Sequence, residues 1–127
     1  MADPKTYNLE AIYLAKEINL AKTAEKLDQN IIGKRREFLT YVLGPQENLF
    51  VFSYGAVVFV NVAKENQAAI KRSLNRFLVN PLRRQYDESY TLREGAKGVS
   101  VGDDAAEVPA VGLSEIEIAA RILAQSV

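Results

Sequence analysis

The spacing of apolar and polar residues along the chain predicts strands and helices in alternation. Over Lys5–Leu14 apolar and polar positions follow a mostly two-residue period, which predicts a strand. Apolar residues then return at helical spacing behind Asn19, a candidate N-cap, so we expect a short helix to about Asp28. The polar stretch 29–36 predicts a connection.

The middle of the chain predicts buried sheet. A strand is expected over Glu37–Leu43, stopped by Gly44-Pro45, and two more over Leu49–Ser53 and Ala56–Val62. Tyr54-Gly55 between the last two predicts a tight turn, and a single strand bulged at that glycine is the alternative. Because the apolar run is almost continuous, we expect these strands to be covered on both faces or to lie in the middle of the sheet.

The second half begins with the clearest helical pattern. Apolar residues at helical spacing predict a helix over Lys64–Val79, ended by Pro81. Alternation over Tyr86–Arg93 predicts a half-exposed strand, which is expected to form a hairpin with the short strand Val99–Val101. The apolar stretch Val108–Leu113, interrupted by a proline, predicts at best an edge strand.

A final helix is predicted from a capping box formed by Ser114 and Glu117. Ile118 and Ile122 widen its apolar face. No glycine or asparagine closes the helix before the chain stops, so we expect it to dock on a partner or to be cut short. The residues of its apolar face that we assign to self-association are Ile116, Ala120, Leu123 and Val127.

This order of elements predicts the α+β class. Strands in runs joined by short turns, with about three helices, indicate helices on one face of a mainly antiparallel sheet. The order is compatible with a ferredoxin-like core, β-α-β-β-α-β, to which further strands are added. Residues 1–127 are expected to form one domain, a fragment that ends inside the last helix.

Composition restricts the chemistry more than it restricts the fold. Of 127 residues, 48% are hydrophobic and 25% are charged, which is typical of a globular domain. The chain has no Cys and no His, which excludes disulfides, Cys or His metal sites and a Ser-His-Asp triad. We therefore predict no cofactor, no metal and no enzymatic activity. No secretory signal or membrane-spanning run is visible, so a cytoplasmic location is expected.

The formal net charge is zero, but the charges are unevenly distributed. Residues 64–97 carry a net charge of +4 and residues 98–127 a net charge of −4, so these two regions either attract each other or form two solvated faces. Tyr86 and Tyr90 lie near the basic region and are able to stack on bases. Lys34-Arg35-Arg36 forms a second basic cluster. The candidate nucleic-acid contacts are Lys71, Arg72, Arg76, Arg83 and Arg84.

Two short motifs have ordinary structural interpretations. Gly95-Ala96-Lys97-Gly98 has the form of the loop with which KH domains clamp a nucleic-acid backbone, but its strand-like flanks favour a hairpin turn. Asp103-Asp104, with Glu107 nearby, has oxygen ligands suited to a hard cation. A solvated acidic turn is the favoured interpretation of that motif.

Two segments carry a resemblance to a known family. Residues 49–59 read LFVFSYGAVVF and resemble the F-V-F-x-Y-G-x-V-V-F hairpin of the YagE / required-for-meiotic-nuclear-division family, a domain of unknown function. The ending 119–127, AARILAQSV, is similar to a family segment of the form A-L-A-Q-S-V. The chain departs from the family at Val60-Asn61, where members often carry Trp-Gly.

The resemblance implies a fold shared from about Lys5 onward and no known enzymatic activity. Family members continue past the last helix, usually to a membrane helix near the C-terminus. Eukaryotic members are membrane-tethered, some in mitochondria, and are associated with supporting translation. No catalytic residue is assigned to the family pattern, so none is carried over to this chain.

We therefore expect a non-catalytic interaction or assembly domain of a membrane-tethered protein. Its partner would be a second copy of the chain or another protein. One alternative is an RNA- or ribosome-associated module that uses the basic helix face, although the zero net charge weakens it. The other is an uncharacterised enzyme that uses carboxylates.

Overall fold

The computed structural model describes residues 6–94, 100–101, 105–108 and 111–127. Over these residues the chain forms one eight-stranded sheet with three α-helices, which confirms the α+β class. The Gly95–Gly98 motif and Asp103-Asp104 lie outside the described residues.

The sheet has the order β2-β3-β4-β5-β1-β6-β8-β7. All neighbouring strands are antiparallel except β6 and β8, which are parallel. The strands are β1 (Thr6–Ile18), β2 (Asn30–Lys34), β3 (Phe38–Gly44), β4 (Glu47–Phe52), β5 (Ala56–Val60), β6 (Leu78–Glu94), β7 (Ser100–Val101) and β8 (Ala105–Val108). The helices are α1 (Leu20–Lys26), α2 (Lys64–Leu74), followed by a 3₁₀ turn at Asn75–Phe77, and α3 (Leu113–Ser126).

A ferredoxin-like core can be traced inside this sheet. The elements β1, α1, β4, β5, α2 and β6 follow the β-α-β-β-α-β order, and β1 lies between β5 and β6. The hairpin of β2 and β3 is inserted after α1 and extends the sheet beyond β4. β8 and β7 extend it at the opposite side, beyond β6.

The sheet is covered on both faces, so the expectation that all helices lie on one face is wrong. Ile70 and Leu74 of α2 pack with Val57 and Phe59 of β5 on one face, where the C-cap of α1 also packs. On the other face α3 packs against Val58 and its neighbours. Every residue of β5 is buried, because its apolar side chains point alternately to both faces and each face needs a cover.

The polar stretch 29–36 contains a strand that the pattern does not predict. Asn30–Lys34 forms β2, which pairs with β3 at the edge of the sheet. Ile31 is half-buried, whereas Ile32 is 46% exposed. An edge strand with one solvated face needs few apolar residues, and this is why its sequence resembles a loop.

The helix predicted over Lys64–Val79 ends earlier than expected, and Pro81 is not what ends it. The α-helix ends at Leu74, and β6 already begins at Leu78. Pro81 pairs with Ala15 next to a shift in register between β1 and β6. A residue without a backbone N–H is tolerated in a sheet at such an irregularity.

The hairpin predicted over 86–101 is wrong. Of the edge strand expected over Val108–Leu113, Val108 ends β8 and Leu113 begins α3, and residues 109–110 lie outside the described residues. β8 pairs with β6 in parallel, with Thr91 opposite Ala105, and β7 pairs with β8. β8 therefore lies inside the sheet, and β7 is at its edge. Alternation along a strand indicates which side chains share a face, but it does not indicate which strand lies alongside.

The two predicted helix caps have different outcomes. The Asn19 side chain accepts a hydrogen bond from the Lys22 N–H at 3.0 Å, which confirms the cap of α1. In α3 the N-cap is Gly112, and a Glu115 carboxylate oxygen accepts from its N–H at 3.0 Å. The box predicted from Ser114 and Glu117 is therefore wrong: the helix begins two residues earlier, and only the Glu115 half of such a box is present, because glycine has no side chain to accept a hydrogen bond. Hydrogen bonds from its own backbone, the Ser114 hydroxyl and the Gly112 N–H lower the pKa of Glu115.

A buried tyrosine joins α1 to the sheet. The Tyr41 side chain is fully buried, and its hydroxyl donates to the Thr23 carbonyl at 3.2 Å. Burial raises the pKa of Tyr41 to about 12, because a phenolate would lose its solvation there. The hydroxyl is therefore a neutral donor at ordinary pH.

The tight turn predicted at Tyr54-Gly55 is confirmed, and Gly55 is essential to it. Its φ is 101°, in the region that favours glycine, and a Cβ there would lie 1.7 Å from the Ala15 carbonyl oxygen. The Leu14 N–H donates to the Gly55 carbonyl at 2.9 Å. The turn therefore rests directly on the backbone of β1.

We predict that Gly55→Ala lowers the free energy of unfolding by more than about 3 kcal/mol, because the new methyl group clashes with backbone and φ is strained. Gly33→Ala is the matched control: its Cβ would meet Thr40 at an ordinary 3.5 Å, and we expect a loss below about 1 kcal/mol. Urea unfolding measures both variants. Equal losses in the two would contradict the role of the close approach at Ala15.

Candidate functional site

The two segments that carry the family resemblance meet in space. Ser53 and Tyr54 of the β4–β5 turn and Gln125 at the end of α3 line one open cavity of about 460 Å³. Tyr13 of β1 and Glu37, just before β3, complete the polar part of its wall. Segments far apart in sequence thus contribute to one concave surface.

A second cavity of about 490 Å³ adjoins the first. Its lining comprises Arg35, Arg36, Glu37, Phe38 and Arg121. Glu37 lines both cavities, and we call the two cavities together the arginine groove. The arginines come from the segment between β2 and β3 and from α3.

Aromatic rings form the floor of the arginine groove. The guanidinium carbons of Arg35 and Arg121 lie 5.9 and 5.6 Å from the centroid of the Phe38 ring, within the range of cation–π attraction. Phe38 is buried and stacks on Phe52 at 5.3 Å, and Phe52 contacts the Tyr54 ring at 5.4 Å. A continuous apolar layer therefore positions two cationic groups at the surface.

The charges in the groove are only partly balanced. Arg35 Nε lies 3.7 Å from a carboxylate oxygen of Glu117. Within the part of the chain that the structure describes, neither Arg36 nor Arg121 has a carboxylate within ion-pair distance. Burial raises the pKa of Tyr54; the positive charge of Arg121 opposes that shift, and the negative charge of Glu37 adds to it.

This arrangement provides positive charge and hydrogen-bond donors, which is the chemistry of binding an anion. With its raised pKa, the Tyr54 hydroxyl is a neutral donor at ordinary pH. Among the described residues, no group of three Asp or Glu side chains gathers as metal ligands would. The side chain of Glu107 lies outside that description.

The residues predicted to contact nucleic acid lie in two separate parts of the structure. Arg72 and Arg76 are exposed on α2 and the turn that follows it, and Lys71 is half-exposed beside them. Arg83 and Arg84 are exposed on β6, and the Arg84 guanidinium lies 6.0 Å from the Tyr86 ring.

The position of Tyr86 indicates the face on which Arg84 lies, because the Arg84 guanidinium lies beside the Tyr86 ring. Tyr86 pairs with Tyr13, and Tyr13 packs with the core on the α3 side of the sheet. Side chains of directly paired residues share a face. The α2 cations therefore lie on one face of the sheet and Arg84 on the other, so they do not form one surface.

The four residues assigned to self-association face the chain's own sheet. Ile116, Ala120 and Leu123 are buried there, and Val127 is half-buried against the same core. The wide buried face predicted for α3 is wrong at two positions, because Ile118 is 57% and Ile122 64% exposed. A sheet surface covers only one side of a helix, and these two isoleucines point away from it.

The sequence pattern alone does not predict a binding site at the arginine groove. Arg35 and Arg36 attract attention only as part of a basic cluster, and Tyr54 belongs to an aromatic run that predicts core. Arg121 is the only basic residue after Lys97, which is a weak signal. No feature of the local sequence indicates that α3 packs beside the start of β3.

No protein-family model, curated protein sequence or solved structure matches the chain. Among the helices that the structure describes, none is long and apolar enough to cross a membrane. The function of the chain is therefore inferred from its own surfaces.

We predict that Arg121→Gln raises the pKa of Tyr54 further, because the charge that stabilises the phenolate is removed. Glu37→Gln should lower this pKa, because a repelling charge is removed. Tyrosine ring NMR signals followed through an alkaline titration measure both effects, and Tyr54→Phe assigns the signal. Arg83→Gln is the control and should leave the pKa unchanged. Shifts of the opposite sign would contradict the geometry.

Proposed function

We propose that this chain is a non-catalytic protein-interaction domain that assembles with a second copy of itself through the outer face of α3. The observation that carries the proposal is the exposure of Ile118 and Ile122, one helical turn apart. The opposite face of α3 is already occupied by the sheet. Burying an isoleucine side chain contributes roughly 1.5–3 kcal/mol, so pairing this face would offset part of the cost of association.

A second copy fits this surface by symmetry. If two α3 helices cross antiparallel midway between the exposed side chains of Ile118 and Ile122, Ile118 of each copy faces Ile122 of the other. Such a contact is isologous, because both copies use the same residues. Antiparallel packing also places the helix dipoles in opposite directions, which favours the pair.

The resemblance to the YagE / required-for-meiotic-nuclear-division family extends the proposal. It suggests a domain of a membrane-tethered protein that supports translation, with the domain itself in the cytoplasm or in mitochondria. At Asn61 the chain departs from the glycine that family members often carry; its φ is 56°, in the left-handed region that favours Gly and then Asn, so this departure is compatible with the same backbone. Its side chain accepts from the Asn8 N–H at 2.8 Å.

We predict that the chain dimerises with increasing concentration and that Ile118→Ser plus Ile122→Ser makes it monomeric, because the apolar stripe is lost. Sedimentation velocity from micromolar to millimolar protein measures the mass. Both side chains are exposed, so the variant should fold.

Ile32→Ser is the matched control, because Ile32 is 46% exposed on the edge strand β2. It should leave the dimer intact. A chain that is monomeric at every concentration, or a dimer that is indifferent to the two α3 substitutions, would refute the proposal.

A second candidate is an RNA-binding surface on α2, favoured by one contact. Arg76 donates to the Lys26 carbonyl at 3.2 Å, and this joins the end of α1 to the basic face of α2. Lys26, Lys71, Arg72 and Arg76 thus form one basic patch on the helical side of the sheet. Such a patch would bind phosphates with an affinity that falls steeply as salt is added.

For this second candidate, Lys71→Glu plus Arg72→Glu should weaken binding of a single-stranded RNA by about tenfold or more at low salt. Arg84→Glu plus Arg121→Glu changes the net charge by the same amount on the opposite face of the sheet and should have a smaller effect. Fluorescence anisotropy at several salt concentrations measures both. Equal losses in the two variants would indicate a response to net charge and would exclude the α2 patch as a specific surface.

A further inference from the structure

The arginine groove is a surface that the proposed self-association does not use. It lies along the flank of α3 that faces the start of β3, where Arg35 meets Glu117. Ile118 and Ile122 lie on the outer face of the same helix. A groove and a docking stripe on different sides of one helix can act independently.

We propose that the arginine groove binds the phosphate group of a small phosphomonoester through Arg35, Arg36 and Arg121. Three arginines line one open cavity, and in the described part of the chain only one of them is paired with a carboxylate. Like charges held close together repel one another. A bound dianion relieves this repulsion and accepts the forked hydrogen bonds that guanidinium groups donate.

The aromatic floor prepares the site for its ligand. Cation–π attraction to Phe38 holds the Arg35 and Arg121 guanidinium groups beside the same ring, which reduces the freedom they lose on binding. A guanidinium held in this way keeps N–H donors for a ligand. Lysine at either position would keep the charge but lose the forked arrangement of donors.

The adjoining cavity indicates what is attached to the phosphate. Tyr54, Ser53 and Gln125 offer neutral hydrogen-bonding groups, and Glu37 stands between the two cavities. The Glu37 carboxylate repels a second phosphate and accepts hydrogen bonds from hydroxyl groups. The geometry therefore favours a monoester whose organic part carries hydroxyls. Volumes of about 460 and 490 Å³ suit a small molecule.

The test titrates the full chain with three probes at constant ionic strength: inorganic phosphate, glycerol 3-phosphate and acetate. The side-chain Nε–Hε NMR signals of Arg35 and Arg121 should shift with both phosphates and not with acetate. Glycerol 3-phosphate should bind more tightly than inorganic phosphate, because only it reaches the cavity beside Glu37. Glu37→Gln should reduce that preference.

Two pairs of variants separate the groove from general charge. Arg35→Gln plus Arg121→Gln should weaken glycerol 3-phosphate binding about tenfold or more. Arg72→Gln plus Arg83→Gln removes the same charge elsewhere and should have little effect. Arg35→Lys plus Arg121→Lys keeps the charge, so it remains informative if the glutamine variant unfolds, and it should also weaken binding.

Three results would overturn the inference. The first is an absence of shifts at Arg35 and Arg121 with either phosphate at tens of millimolar. The second is equal binding of acetate, which would indicate attraction to any anion. The third is an equal loss in the groove variants and in the Arg72 and Arg83 control.

Discussion

The two-sided burial of β5 is the constraint on which the rest of the structure depends. All its residues are apolar and buried, so the sheet must be covered on both faces. α1 and α2 cover one face, and α3, the last element of the chain, covers the other. Removing water from both sides of these strands is the main source of stability in such a layered fold. Helices α1 and α2 lie on the same face of the sheet, so they cannot cover the other face. The position of α3 on that other face therefore follows from the apolar strands in the middle of the chain.

The position of α3 in turn creates the groove. Its C-terminal end lies beside the β4–β5 turn, and that turn is held against β1 at Gly55, where no side chain fits. Tyr54 therefore faces the end of α3, and Arg121 reaches the ring of Phe38 at the start of β3. The close backbone contact of Gly55 with β1 and the packing of α3 on the apolar strands thus together bring the three arginines of the groove beside one layer of aromatic side chains.

Both proposed roles use surfaces that do not take part in packing the hydrophobic core. The inner face of α3 packs against the sheet, its outer face exposes Ile118 and Ile122, and one flank lines the arginine groove. The zero net charge of the chain is compatible with this arrangement, because the groove depends on where charges meet and not on their sum. Assembly through the outer face would leave the groove open to a ligand.

Local sequence determined the features that depend only on neighbouring residues. The cap at Asn19, the turn at Tyr54-Gly55 and the buried strands around it follow from side-chain chemistry and from the period of the pattern. Tertiary structure alone decided the features that depend on a distant partner. The polar segment Asn30–Lys34 became a strand because β3 offered it an edge, and β8 paired in parallel with β6. The arginine groove belongs to this second group, because its charges come from segments that the chain brings together only by covering both faces of its sheet.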